Sequence, residues 1–228
     1  MKRISASKLE IAYHCQAPWT SDMPWEAGTS PAARYGTEIH EMIETHLSGR
    51  TPTPPTSKHA KDHRAWVSWW DNSIRVEGCE VPYVFMSDGT TARLAGRGRD
   101  AYEHVPLNAI VGTADCVTQY SVIDWKTGKH ITEAKDSVQL RFLGAVAGKP
   151  EINLVQIRNG EVDARGHTLT VNERDEIKND CSKLLKILND SPQHVGGEWC
   201  RWCPCRAACP KNSFAKSAKT PEKQTFDF

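Results

Sequence analysis

The chain lacks a charge bias, a long apolar run and an internal repeat, and no secretory leader is expected. Its 228 residues carry 29 Lys+Arg against 28 Asp+Glu, a formal net charge of +1. Overall charge therefore gives no support to nucleic-acid binding, and any such contact has to come from local clustering. No apolar stretch approaches the roughly 20 residues that cross a bilayer, so no membrane span is expected. The first ten residues, MKRISASKLE, contain no apolar core of a signal peptide,. A cytoplasmic setting, in a prokaryotic cell or a phage-infected host, is the expectation. The eight cysteines are then expected as metal ligands or redox groups more than as a disulfide framework,. With 39% hydrophobic and 25% charged residues the composition is that of a globular protein,.

The most informative stretch is 110–129, IVGTADCVTQYSVIDWKTGK. It reads as two strands joined by a tight turn at Gln119-Tyr120, which sets Asp115 directly across from Asp124. Opposed residues have Cβ atoms roughly 4.5–5.5 Å apart. Two carboxylates so close repel unless a cation lies between them, and Mg²⁺ or Mn²⁺ suits an all-oxygen pair. Side chains alternate along a strand, so Lys126 projects to the same side as Asp124. A lysine there can orient a metal-bound water or stabilise phosphate charge. Asp-x-Lys alone is common on solvated strand faces, so the rest of the chain has to support the chemistry. Upstream, GTEIHEMIETHL (36–47) places Ile39, Ile43 and Leu47 at helical spacing, with His40 and Glu44 one turn apart on the flank. His40 is a third candidate ligand or a satisfied core histidine. Glu44 is read as helix surface.

These segments resemble the PD-(D/E)XK nuclease superfamily, and are most similar to its RecB-type branch, which includes CRISPR-associated and phage exonucleases. The resemblance covers about residues 5–210. It implies that His40, Asp115 and Asp124, with the Trp125 carbonyl, hold Mg²⁺ or Mn²⁺ and that Lys126 is catalytic. It further implies a restriction-endonuclease-like α/β core: a mixed central sheet flanked by helices, with an N-terminal helical addition. The activity implied is DNA exonuclease action on single-stranded ends, in recombination, repair or phage DNA processing. A further motif of the branch begins with a glutamine on the helix after the catalytic strand, which Gln139 in SVQLRFLGAV matches. The tyrosine usual four residues later is replaced by Leu143.

Four cysteines crowd into WCRWCPCRAACP (199–210). The spacing Cys200-x₂-Cys203-x₅-Cys209, with Cys15 as a distant fourth, suits zinc or an iron–sulfur cluster. One early cysteine and a late C-x₂-C-x₅-C is similar to the [4Fe–4S] staple of iron–sulfur RecB-type nucleases. That implies a single domain over 1–210, closed by Cys15, Cys200, Cys203 and Cys209, with zinc as the alternative metal. Cys205 is surplus in this scheme. Trp199 and Trp202 are expected to shield the cluster, and Cys79, Cys116 and Cys181 to be core residues.

Elements are expected as helices over 5–13, 33–47, 58–74, 134–147 and 172–188, and strands over 80–86, 93–102, 152–158 and 161–169, besides the hairpin. A Pro/Gly/Trp-rich connection is expected over 16–30. Trp66, Trp69 and Trp70 suit burial against a core or base stacking, with burial preferred. Arg97 and Arg99, expected on one strand face, together with Arg93, Lys129, Lys135 and Arg141, are candidate phosphate contacts. Residues 211–228 read as a flexible tail. Its terminal QTFDF resembles the peptides with which phage DNA polymerases dock on a sliding clamp, so a clamp or another replication protein is a candidate partner. Two rivals to a nuclease are a catalytically silent iron–sulfur DNA-binding or scaffold protein and a cysteine-cluster interaction module.

Overall fold

A computed structural model describes residues 2–26, 30–129 and 132–212. The tail peptide at 224–228 lies outside the described residues. The expected α/β architecture is present. A seven-stranded mixed sheet comprises β1 (Ile4–Ser5), β2 (Val76–Phe85), β3 (Thr91–Arg93), β4 (Ile110–Thr118), β5 (Ser121–Lys126), β6 (Glu151–Arg158) and β7 (Glu161–Thr168), in the order β3-β2-β4-β5-β6-β7, with β1 beside β4. Six α-helices among the described residues accompany it: α1 (Leu9–His14), α2 (Ala17–Thr20), α3 (Pro31–Leu47), α4 (Ser57–Trp69), α5 (Val138–Ala147) and α6 (Val171–Asp190).

Each face of the sheet buries its own core. On one, α1, α5 and α6 cover Val81, Phe85, Val117, Val122 and Leu154. On the other, α3 and α4 cover Cys116, Ile123, Trp125, Val155 and Ile157. β5 is buried on both faces because it pairs in parallel with β6 through α5, and both faces of a parallel pair carry helices.

Local chemistry sets the boundaries. α3 starts where Ser30 Oγ accepts from Ala33 N at 3.1 Å, with Pro31 at the first helical position,. Ser137 caps α5 in the same way, and Gly148, at φ +68°, ends it in the left-handed conformation that glycine adopts without strain,. α6 opens on a Thr170–Glu173 capping box,.

Several expectations need correction. Residues 93–102 do not form one strand: β3 stops at Arg93, and Gly98–Tyr102 is a 3₁₀ turn after Gly96 and Gly98, both at positive φ. Arg97 and Arg99 therefore share no strand face. The helix expected over 58–74 ends at Trp69, where Trp70 turns to an extended conformation and packs inward. Trp66 and Trp70 are buried, as preferred, while Trp69 is 39% exposed. Ile4–Ser5 is strand, and the connection after Gln16 contains the one-turn helix α2. Cys79 is only partly buried, in contrast to Cys116 and Cys181. No helix among the described residues is long and apolar enough to cross a membrane.

Candidate active site and cysteine knot

The β4–β5 turn falls at Gln119-Tyr120, with Thr118 Oγ1 accepting from Ser121 N at 2.9 Å. The ladder runs Val117↔Val122 and Cys116↔Ile123, and one step further places Asp115 opposite Asp124. There the strands stop pairing main chain to main chain. Asp115 Oδ2 accepts from Trp125 N at 2.7 Å, so a carboxylate takes the place of a ladder carbonyl. β4 instead turns its edge at Ile110 and Val111 to β1. The sheet opens at this point, and the acids line the opening.

Four further groups reach it. His40 comes from the flank of α3, whose buried Ile39, Met42 and Ile43 fix the helix against Trp125 and Cys116. Its Nε2 lies 2.9 Å from the Trp125 carbonyl and its Nδ1 3.6 Å from Asp115 Oδ2. Trp125 itself is buried on the other face, edge-on to Trp66 and Trp70 at 6.0 and 6.1 Å. Lys126 Nζ is 2.6 Å from Asp124 Oδ2. Gln139 Nε2, from the opposite face, donates to Asp124 Oδ1 at 3.4 Å. All six residues expected at the site meet here, in two subsets: His40 and the Trp125 backbone with Asp115, and Lys126 and Gln139 with Asp124.

A residue absent from the expected set also enters. Glu80 of β2, His40 and Asp115 each bring one ligand atom to within 4.8 Å of the others, the one such group of three among the described residues. Sequence pattern gave no sign of it, because a glutamate in a strand carries no motif. Glu44 is ion-paired with Arg97, which occupies one of the candidate phosphate-binding arginines.

Burial, reinforced by Asp124, raises the Asp115 carboxyl from 3.8 to about 8. Burial lowers His40 below its usual 6.5, so its ring is neutral at neutral pH and has a lone pair to offer. Burial also opposes the Lys126 charge, but Asp124 and Asp115 outweigh it and the ammonium is held more firmly than usual. A buried acid that holds its proton beside a second carboxylate is one that a dication fits,.

The cysteines gather elsewhere. Cys15 follows α1, while Cys200, Cys203, Cys205 and Cys209 lie in and after the 3₁₀ turn Glu198–Trp202. Cys15, Cys200, Cys203 and Cys205 are buried and Cys209 is partly exposed. Burial pushes the Cys203 thiol up to about 11, and Cys205, Cys15 and Cys200 lie near enough to add to the rise. Gly197 N donates to Cys200 Sγ at 3.4 Å, and His194 Nε2 lies 3.1 Å from Cys209 Sγ. These contacts reach two of the sulfurs, and no three cysteine sulfurs among the described residues lie within 4.8 Å of one another. Cys205, treated as surplus, is fully buried within the knot. Trp199 stacks on His14 at 4.4 Å, whereas Trp202 is 63% exposed and does not serve as the expected shield.

No curated protein matches this chain significantly. Among solved structures it is similar to SSO0001, with a TM-score of 0.45 and 18% identity over 79% of this chain and 71% of that one. It is also similar to LHK-Exo, an alkaline exonuclease from Laribacter hongkongensis, with a TM-score of 0.40 and 11% identity over 82% of this chain and 87% of that one. A complex of LHK-Exo with dAMP gives the same values. The family model of the PD-(D/E)XK nuclease superfamily matches residues 3–210, nearly the whole chain, and the chain belongs to that superfamily.

Proposed function

We propose that the protein is a divalent-metal-dependent DNA exonuclease that hydrolyses phosphodiester bonds at single-stranded ends, in recombination, repair or phage DNA processing. One observation carries the reading. Where β4 and β5 part, two opposed acids meet an imidazole from one face of the sheet and a Lys–Gln pair that engages the second acid.

His40, Asp115, Asp124 and the Trp125 carbonyl are the residues that hold Mg²⁺ or Mn²⁺. Such a cation supplies a Lewis acid that neutralises phosphate charge and lowers the pKa of bound water. Asp115 and Asp124 bind and orient it. Lys126, whose side chain is 40% exposed, places its ammonium where charge develops on the attacked phosphate. Gln139 fixes Asp124 through Oδ1. In the knot, Cys15, Cys200, Cys203 and Cys209 hold a [4Fe–4S] cluster, with zinc as the alternative, and tie the two ends of a nuclease domain spanning 1–210. The clamp-docking role of QTFDF rests on sequence alone, and an anisotropy titration of that peptide against the cognate clamp tests it.

The test of activity uses anaerobically purified protein with end-labelled single-stranded and duplex DNA, in Mg²⁺, Mn²⁺ or EDTA, beside Asp124→Ala. Cleavage that needs metal and is lost in the variant is expected, and release of the end label gives the polarity. No cleavage with an intact cluster would instead make the protein a silent DNA-binding or scaffold member.

A further inference from the structure

β2 flanks β4 on the side away from β5, and one of its residues departs from strand geometry. Glu80 has φ +51°, in the left-handed region that a residue with a Cβ adopts only when its surroundings hold it there. The ladder on either side is regular, with Cys79 opposite Cys116 and Val81 opposite Ala114. Glu80 therefore stands across from Asp115. One carboxylate oxygen of each, and a ring nitrogen of His40, lie within 4.8 Å of one another.

The three donors match one hard dication. Two carboxylates offset its charge, and the imidazole adds a neutral ligand. His40 is oriented for this, because a carbonyl can only accept: Nε2 donates to Trp125 O, leaving the Nδ1 lone pair free on the side of Asp115,. Donors on one face of an octahedral ion with bonds of roughly 2.1 Å lie roughly 3 Å apart, so a small contraction of the present group suffices. Asp124, engaged by Lys126 and Gln139, borders this group on its other side.

We propose that Glu80 is a direct ligand of the divalent cation at this site, completing from β2 the donor set begun by His40 and Asp115. The inference rests on the metal-dependent nuclease reading and adds a ligand to it. Glu80 and Asp124 would then flank Asp115 as ligands of one cation, and Lys126 would be left facing the phosphate.

The test is Mn²⁺ binding to the metal-free full chain, followed by the electron paramagnetic resonance of free Mn²⁺ without DNA or turnover. Glu80→Gln keeps the shape and removes the charge. Glu80→Gly is at ease at this φ and removes the carboxylate without added strain. Glu77→Gln, on the same strand but paired with Lys149 at 2.8 Å, is the control. Both Glu80 variants are expected to bind Mn²⁺ at least tenfold more weakly, or to lose one equivalent, while Glu77→Gln binds as wild type. Wild-type binding in both Glu80 variants, with loss in Asp115→Asn, would overturn the role of Glu80 and leave the nuclease reading standing. Absence of Mn²⁺ binding in the wild type would sink both.

Discussion

The Trp125 carbonyl accepts the Nε2 proton of His40 at 2.9 Å, while the Trp125 amide donates to Asp115 at 2.7 Å. The two main-chain polar groups of one residue thus position a candidate ligand from α3 and another from β4. The tryptophan ring, held under α4, keeps that backbone in place. His40→Ala removes the imidazole while the rest of the frame stays. Mn²⁺ affinity is expected to fall at least about tenfold, with nuclease activity lost in parallel. Unchanged affinity by titration calorimetry would remove His40 from the ligand set.

Metal binding is expected to depend on pH. Asp115 titrates near 8 in the folded, metal-free protein, against 3.8 for a free aspartate. A cation has to displace that proton, so Mn²⁺ affinity should rise by up to about tenfold per pH unit below 8 and level off above it. The sign for folding is opposite. Between about pH 4 and 8 the folded state binds the proton more tightly than the unfolded one, so this group makes the metal-free protein less stable as pH rises. Mn²⁺ should reverse that loss. Titrations at pH 6, 7, 8 and 9, paired with melting curves, check both trends, and a flat affinity profile would contradict the first.

Much of the site was legible because its parts lie on regular elements. Alternation on β5 put Asp124 and Lys126 on one side, and the turn at Gln119-Tyr120 fixed Asp115 opposite. Helical spacing located His40. What escaped depends on long-range contacts. Glu80 reaches the site through the β2–β4 register, which no local pattern reveals. The segment 93–102 carries apolar and arginine residues that mimic a strand, yet Gly96 and Gly98 adopt left-handed turns there. Trp202 and Trp199 are three residues apart on one 3₁₀ turn and have unlike fates, one exposed and one stacked on His14 of α1, a contact with a distant element that local spacing does not reveal.

Lys126 should separate chemistry from binding. Its ammonium lies 2.6 Å from Asp124 and is not needed to coordinate a cation. Lys126→Gln is expected to lower kcat by about 10²–10³, the range for removing one stabilising group at a developing charge, while Mn²⁺ still binds. If the variant cleaved DNA at the wild-type rate, Lys126 would be only the partner that neutralises Asp124.

Leu143 stands where the RecB-type motif that this segment resembles has a tyrosine, and its surroundings predict what introducing the ring would do. The side chain is fully buried in the core beneath α5. It packs so tightly against β4 that a Cβ at Gly112 would lie 2.9 Å from Leu143 Cδ2. A tyrosine ring is larger than the leucine side chain and carries a hydroxyl into that apolar core,. Leu143→Tyr is therefore expected to cost about 1–3 kcal/mol, lowering Tm by several degrees, with no gain in DNA affinity. The double variant Leu143→Tyr/Phe142→Ala, which clears a neighbouring ring that also faces Gly112, should not restore it, because Phe142 is itself core. A tighter single-stranded DNA complex in Leu143→Tyr, measured by anisotropy, would show instead that α5 can turn this position toward the substrate.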